Sequence, residues 1–197
     1  MILSMNPLVC YFDDFLTPQE CDHIIELAKP HLLPATVCDH DAESLERKLD
    51  DRRSNTFAFI PHNATPIVLQ ACAKICKFAD IDMINTEQLQ VVHYGENQEY
   101  QPHYDSWDED GKIWTEKSGQ RIFTALLYLN DVEEGGATSF PNLKLEITPK
   151  KGRVAFFANT NLSATTRHPN ALHGAMPVIS GEKWACNLWF RERQYVG

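Results

Sequence analysis

The second half of the chain narrows the choice of fold most. Glu87–Tyr94, Arg121–Asn130, Leu145–Thr148, Gly152–Ala158 and Lys183–Phe190 are short runs of β-branched, aromatic and apolar residues. Turn-forming residues separate them: Gly95-Glu96-Asn97, Gly135-Gly136, Pro149-Lys150-Lys151-Gly152 and Ser180-Gly181. Strands this short, joined by turns, fold as a double-sheet sandwich or jelly roll.

The first half reads differently. Leu8–Leu16 suggests a first strand. Thr17-Pro18-Gln19-Glu20 then predicts a helix start, with Thr as N-cap, Pro at the first helical position and Glu closing a capping box. Cys21, Ile24, Ile25 and Ala28 give that helix an apolar stripe, and Pro30 ends it. Val68, Cys72, Ile75, Cys76 and Ala79 predict a second amphipathic helix. Residues 38–52 are polar and acid-rich and read as a mobile loop. The expected fold is α+β, mainly β, in a single domain over residues 1–197. Helical support spans about 17–80 and the β core about 87–193.

Composition excludes several partners. The 197 residues carry 18 Lys+Arg against 27 Asp+Glu, a formal charge of −9, which disfavours a nucleic-acid partner. No apolar run approaches the ~20 residues that cross a bilayer. Met1–Cys10 lacks a basic n-region and is interrupted by Asn6-Pro7, so no signal peptide and a cytoplasmic location are expected. Six scattered cysteines without a CxxC pair fit reduced thiols. Gly-rich phosphate loops, Walker sequences and GxSxG elbows are all missing from the sequence.

The chemistry concentrates in Val92–Asp105. On an extended strand His103 and Asp105 point to the same face and present an imidazole and a carboxylate to one ion. Two ligands do not make a specific site, so a third must come from His23, His31, His40, His62, His93, His168 or His173. His173 is the strongest of these, because it opens a strand-like segment after an irregular loop and Lys183 follows ten residues later, within reach of an antiparallel return. His168, its rival, sits in a loop-like Arg-His-Pro setting. Two histidines and one carboxylate form a facial triad that leaves coordination positions open, an arrangement suited to non-haem Fe(II).

Three blocks carry a family resemblance: Tyr94-x-x-Gly-x-x-Tyr100-x-x-His103-x-Asp105, Tyr128 through Gly136 to Pro141, and His173-Gly174 through Gly181-Glu-Lys183-Trp184. Together they resemble the prolyl 4-hydroxylase branch of the Fe(II)- and 2-oxoglutarate-dependent dioxygenases, over roughly residues 8–193. Arg52-Arg53-Ser54-Asn55 partly keeps an Arg-x-Ser stretch of that family. The resemblance implies a double-stranded β-helix with supporting N-terminal helices. It implies that His103, Asp105 and His173 bind Fe(II), that Lys183 meets the distal carboxylate of 2-oxoglutarate, and that Tyr94 lies over this co-substrate. Residues 183, 185, 187 and 189 share a strand face, so Trp189 is expected in the same pocket, with Tyr128 a further pocket candidate.

The implied reaction uses 2-oxoglutarate and O2 as co-substrates and ascorbate as reductant, and hydroxylates proline in a peptide or protein. Two other readings stand beside it: hydroxylation of free proline or another small amino acid, and a non-catalytic metal-binding or sensor module. Substrate recognition is expected from loops 38–52 and 106–120. Asp108-Glu109-Asp110, with the six acids against three bases in residues 39–52, suggests an acidic rim favouring basic peptides.

Overall fold

The computed structural model describes residues 1–38, 47–48, 51–108, 115–161 and 166–196. Strands β1 (Ile2–Met5) and β2 (Leu8–Phe12) open the chain as an antiparallel pair. The strand expected over Leu8–Leu16 stops at Phe12, because the chain turns through Asp14 in the left-handed region at φ 54°. Helix α1 (Pro18–Ala28) starts in the expected capping box. The Glu20 backbone N–H donates to Thr17 Oγ1 at 3.2 Å, and the Thr17 N–H donates to Glu20 Oε2 at 2.7 Å. Two otherwise orphaned donors are thereby satisfied. Cys21, Ile24, Ile25 and Ala28 form its buried face. Pro30 ends the α-helix but sits inside one further tight turn, Lys29–His31. Helix α2 (Pro66–Ala79) is capped by Thr65 and buries Val68, Ala71, Cys72, Ile75 and Cys76.

Eight strands form the larger sheet. β1 and β2 are joined by β3 (Leu33–Pro34), β6 (Thr56–Ile60), β7 (Leu89–Tyr94), β9 (Arg121–Tyr128), β13 (Val154–Ala158) and β16 (Lys183–Arg191). Their order is β1-β2-β13-β9-β16-β7-β6-β3, and the neighbouring strands are antiparallel. A four-stranded sheet has the order β12-β11-β14-β8, from β8 (Tyr100–His103), β11 (Thr138–Phe140), β12 (Leu145–Ile147) and β14 (His173–Ala175). Two short pairs complete the described strands: β4 (Val37–Cys38) with β5 (Arg47–Lys48), and β10 (Glu134–Gly135) with β15 (Val178–Ser180). Most of the loop expected over 38–52 lies outside the described residues.

Strand β16 shows how the layers are built. Trp184, Cys186, Leu188 and Phe190 belong to one hydrophobic cluster with the buried faces of both helices. On the alternate face Ala185 packs with Val92, Tyr94, Leu126, Tyr128 and Phe140 between the sheets. A strand covered on both sides reads as a nearly continuous apolar run, as Lys183–Phe190 does. The result is a double-stranded β-helix with helices on one outer face, mainly β as expected. Among the described residues no helix is long and apolar enough to cross a membrane.

Candidate active site

His103 and His173 face each other as cross-strand partners of β8 and β14. The strands meet this closely because Gly174 follows His173: a Cβ there would lie 2.8 Å from the Tyr100 carbonyl oxygen and 3.0 Å from Pro102 N. The register shifts between His173 and Ala175, which marks a bulge at that glycine. Asp105 differs from the sequence expectation. β8 ends at His103, and Asp105 sits in a bend two residues later rather than on the same extended strand.

The opposite sheet holds this bend in place. Thr124 Oγ1 on β9 donates to Asp105 Oδ2 at 2.6 Å, and Trp189 Nε1 on β16 donates to the same oxygen at 2.9 Å. Asn159 Nδ2 in turn donates to Thr124 Oγ1 at 2.8 Å, which turns the hydroxyl proton toward the carboxylate. Asp105 Oδ1 lies 3.8 Å from His103 Nε2, and Oδ2 lies 3.6 Å from His173 Nε2. One donor atom from each residue thus falls within 4.8 Å of the other two.

Protonation suits a cation. His103 Nδ1 lies 2.9 Å from the Gln101 carbonyl, and His173 Nδ1 2.9 Å from the Ala171 carbonyl. A carbonyl only accepts, so each Nδ1 carries a proton and Nε2 is the nitrogen left to face a metal. Burial pushes the His103 imidazole down to about 3, so it is neutral at pH 7. Burial opposes the charge of Asp105, but His173, His103, Arg121 and the Thr124 hydrogen bond outweigh it and hold the carboxyl at about 2. Two imidazoles and one carboxylate around a shared point fit a divalent iron.

The other histidines are engaged elsewhere. His168 bonds Asn6 Oδ1 at 2.9 Å and caps the turn at Pro169. His23 pairs with Thr65, His62 with the Glu87 carbonyl, and His93 with Glu182. His31 is exposed and His40 lies outside the described residues.

Beside the triad lies a cavity of about 140 Å³ lined by Lys183, Tyr94, Thr138, Leu126, Ala185 and Trp189, among others. Lys183 is 2% exposed, and its Nζ lies 5.3 Å from the Tyr94 ring centre and 5.6 Å from that of Tyr128. It has no carboxylate partner among the described residues. Burial pushes its ammonium down to about 7. An unpaired buried cation is costly, so the cavity suits an anionic occupant. Burial raises the Tyr94 phenol, which therefore stays a protonated donor beside that cation. Tyr128 is placed otherwise. Its hydroxyl donates to Thr138 Oγ1 at 2.7 Å, and the residue is fully buried behind the cavity wall, where its ring supports Lys183. Nor do His173 and Lys183 approach through a hairpin: β14 and β16 belong to opposing sheets, and the two residues meet across the cavity.

Most of the expected acidic rim lies outside the described residues. Asp108 pairs with Arg167, while Glu109 and Asp110 lie outside the described residues. Arg52, Arg53 and Arg121 are among the residues that line the cavity. Arg121 donates from Nε and Nη2 to the buried carboxylate of Glu87 at 2.6 and 2.8 Å, and its guanidinium lies 3.6 Å over the Trp189 ring. Burial opposes the Glu87 charge, but Arg121 and Arg191 outweigh it and lower its pKa. Thr124 and Arg121 were not singled out by sequence, although both lie on the recognised 121–130 run; Thr124 alternates with Leu126 and Tyr128 on the inner face.

A double-stranded β-helix whose facing sheets converge two histidines and one aspartate beside a cavity with a buried lysine defines a non-haem iron oxygenase. Residues 89–191 match the 2OG-Fe(II) oxygenase superfamily, and the chain belongs to it. It is 36% identical to probable prolyl 4-hydroxylase 10 of Arabidopsis thaliana, over 98% of this chain and 72% of that protein. A putative prolyl 4-hydroxylase of Acanthamoeba polyphaga mimivirus is also 36% identical, over 93% of this chain and 74% of its own length. Among solved structures, the 2OG complex of a viral collagen prolyl hydroxylase from Paramecium Bursaria Chlorella virus-1 superposes with a TM-score of 0.75 at 32% identity. That match covers 93% of this chain and 95% of the viral one. Membership of the superfamily implies Fe(II), 2-oxoglutarate and O2.

Proposed function

We propose that this protein is a prolyl 4-hydroxylase acting on proline residues within a peptide or protein, with decarboxylation of 2-oxoglutarate to succinate and CO2. One observation carries the reading: the His103–Asp105–His173 cluster and the unpaired, buried Lys183 share a cavity, in a chain similar over nearly its whole length to prolyl 4-hydroxylases. Residues 1–197 then act as one catalytic domain, with the N-terminal helices bracing the larger sheet.

Each side chain has a task. His103 and His173 would hold Fe(II) through Nε2 and Asp105 through its carboxylate. When bound, the iron supplies O2 activation and the oxidising power needed to cleave an unactivated C–H bond. Lys183 and the Tyr94 hydroxyl receive the distal carboxylate of 2-oxoglutarate; a fixed ammonium in a dry wall offsets the desolvation of that charge. Leu126, Ala185 and Trp189 exclude water from the reaction space. Ascorbate serves as the reductant that keeps the iron ferrous.

Lys183 also argues against a purely metal-binding module, which has no use for a buried cation beside the ion. The peptide rather than the free amino acid is favoured by the likeness to a collagen prolyl hydroxylase. Five described cysteines are buried free thiols, which supports a reducing, cytoplasmic location.

The test is turnover of proline-rich peptides by the full chain with Fe(II), 2-oxoglutarate and ascorbate. The expected result is succinate formation together with one added oxygen on a prolyl residue. Absence of both 2-oxoglutarate binding and succinate release overturns the reading, and oxygen added only to free proline moves it to a small-molecule hydroxylase.

A further inference from the structure

Arg53 ties the N-terminal half of the chain to the candidate metal ligand His103. Its Nε donates to Asn55 Oδ1 at 2.9 Å, its Nη1 to the Thr36 carbonyl at 3.3 Å and its Nη2 to Gln90 Oε1 at 3.3 Å. Three acceptors from separate segments fix the plane of the guanidinium. That plane lies over the Tyr100 ring, 4.6 Å from its centre, and the two residues form a β-bridge. The Tyr100 ring lies against the His103 imidazole, with centres 3.6 Å apart and planes 13° apart. One face of a phenol accommodates one such partner, so Tyr100 is held between guanidinium and imidazole.

The stack supplies a restraint that the hydrogen bond of His103 does not. The Nδ1–H bond to Gln101 fixes the direction of the ring but leaves rotation about that direction open. A flat neighbour at stacking distance removes that rotation. We propose that Arg53 is a positioning residue for the metal site: through Tyr100 it fixes the plane of the His103 imidazole, so that Nε2 aims at the point shared with Asp105 and His173. The inference rests on those three residues being metal ligands.

Co(II) binding to the full chain tests this, with affinity read by calorimetry and ligand geometry by the visible ligand-field spectrum. Arg53→Met is expected to weaken Co(II) about tenfold, the usual scale for residues that orient a metal ligand, and to change the spectrum. Arg53→Lys keeps a cation over the ring without the planar three-point anchorage, and should fall between Met and wild type. Tyr100→Ala should weaken Co(II) similarly, and Arg53→Met added to it should change nothing further. A folded Arg53→Met protein with wild-type affinity and spectrum overturns the proposal, even if its Tm falls. A full additional loss in the Tyr100→Ala background overturns the route through Tyr100. If Arg53→Met does not fold, Arg53→Lys decides: wild-type affinity and spectrum overturn the proposal, and intermediate values support it. Failure of the wild-type protein to bind Co(II) overturns instead the assignment of the ligands.

Discussion

His103 and His173 stand opposite each other across β8 and β14, and Gly174 determines how closely those strands approach. A methyl group at 174 would sit 2.8 Å from the Tyr100 carbonyl and 3.0 Å from Pro102 N, both rigid backbone atoms. β8 would have to move away, carrying His103 from His173. Gly174→Ala is therefore expected to lower divalent metal affinity tenfold or more, with a smaller effect on the fold, which rests mainly on the larger sheet. Calorimetric titration of Co(II) into the folded variant checks this, and wild-type affinity would contradict it.

Lys183 makes co-substrate binding depend on pH. Its folded pKa, about 7, lies below the ordinary lysine value of 10.5, so between those values the unfolded chain binds more protons than the ligand-free fold. Stability of the ligand-free protein gains from this group as pH rises from about 7 toward 10.5, and the gain is lost below 7. Binding a dicarboxylate favours the protonated amine and reverses the trend. The affinity for 2-oxoglutarate should be highest below pH 7 and fall, by up to about tenfold per pH unit, as pH rises above it. Calorimetry in two buffers of different ionisation enthalpy at pH 8 should register proton uptake on binding. Lys183→Met should bind weakly and without this uptake; unchanged uptake would assign the proton elsewhere.

Trp189 touches the same carboxylate oxygen as Thr124. Trp189→Phe deletes the N–H donor while keeping an aromatic face beneath the Arg121 guanidinium. Asp105 then rests on Thr124 alone and gains freedom to rotate. Metal affinity is expected to fall about tenfold, with KM for 2-oxoglutarate changed much less. Calorimetric titration of Co(II) reads the first, and steady-state kinetics at saturating iron reads the second; unchanged Co(II) affinity would contradict the prediction.

The sequence disclosed the parts of this site that follow periodicity or capping chemistry. Thr17 and Glu20 sit in a local motif that dictates its own geometry, and Lys183 and Trp189 share a face because strands alternate. Asp105 was legible as a residue but not as a bend, since its position is set by Thr124 and Trp189 from distant strands. Arg53 and Arg121 were not legible as cavity residues, because exposed and lining arginines have the same local sequence appearance. The pairing of Asp108 with Arg167, 59 positions away, was hidden for a related reason.

Metal loading should separate the site from the scaffold. A ligand that binds only the folded state at 1,000 times its Kd stabilises it by about 4 kcal/mol. For a chain of 197 residues that corresponds to a Tm rise on the order of 10 °C with Co(II), reversed by a chelator. His173→Ala removes one of three ligands and should abolish most of the rise. Thr17→Ala breaks the capping box of α1, which packs on the outer face of the larger sheet, away from the cavity. It should cost about 1 kcal/mol with or without metal and leave the rise intact. Differential scanning calorimetry of both variants, with and without Co(II), distinguishes the two effects. Equal metal-induced shifts in His173→Ala and wild type would remove His173 from the ligand set, whereas loss of the shift in Thr17→Ala would show that the helices and the site are energetically coupled.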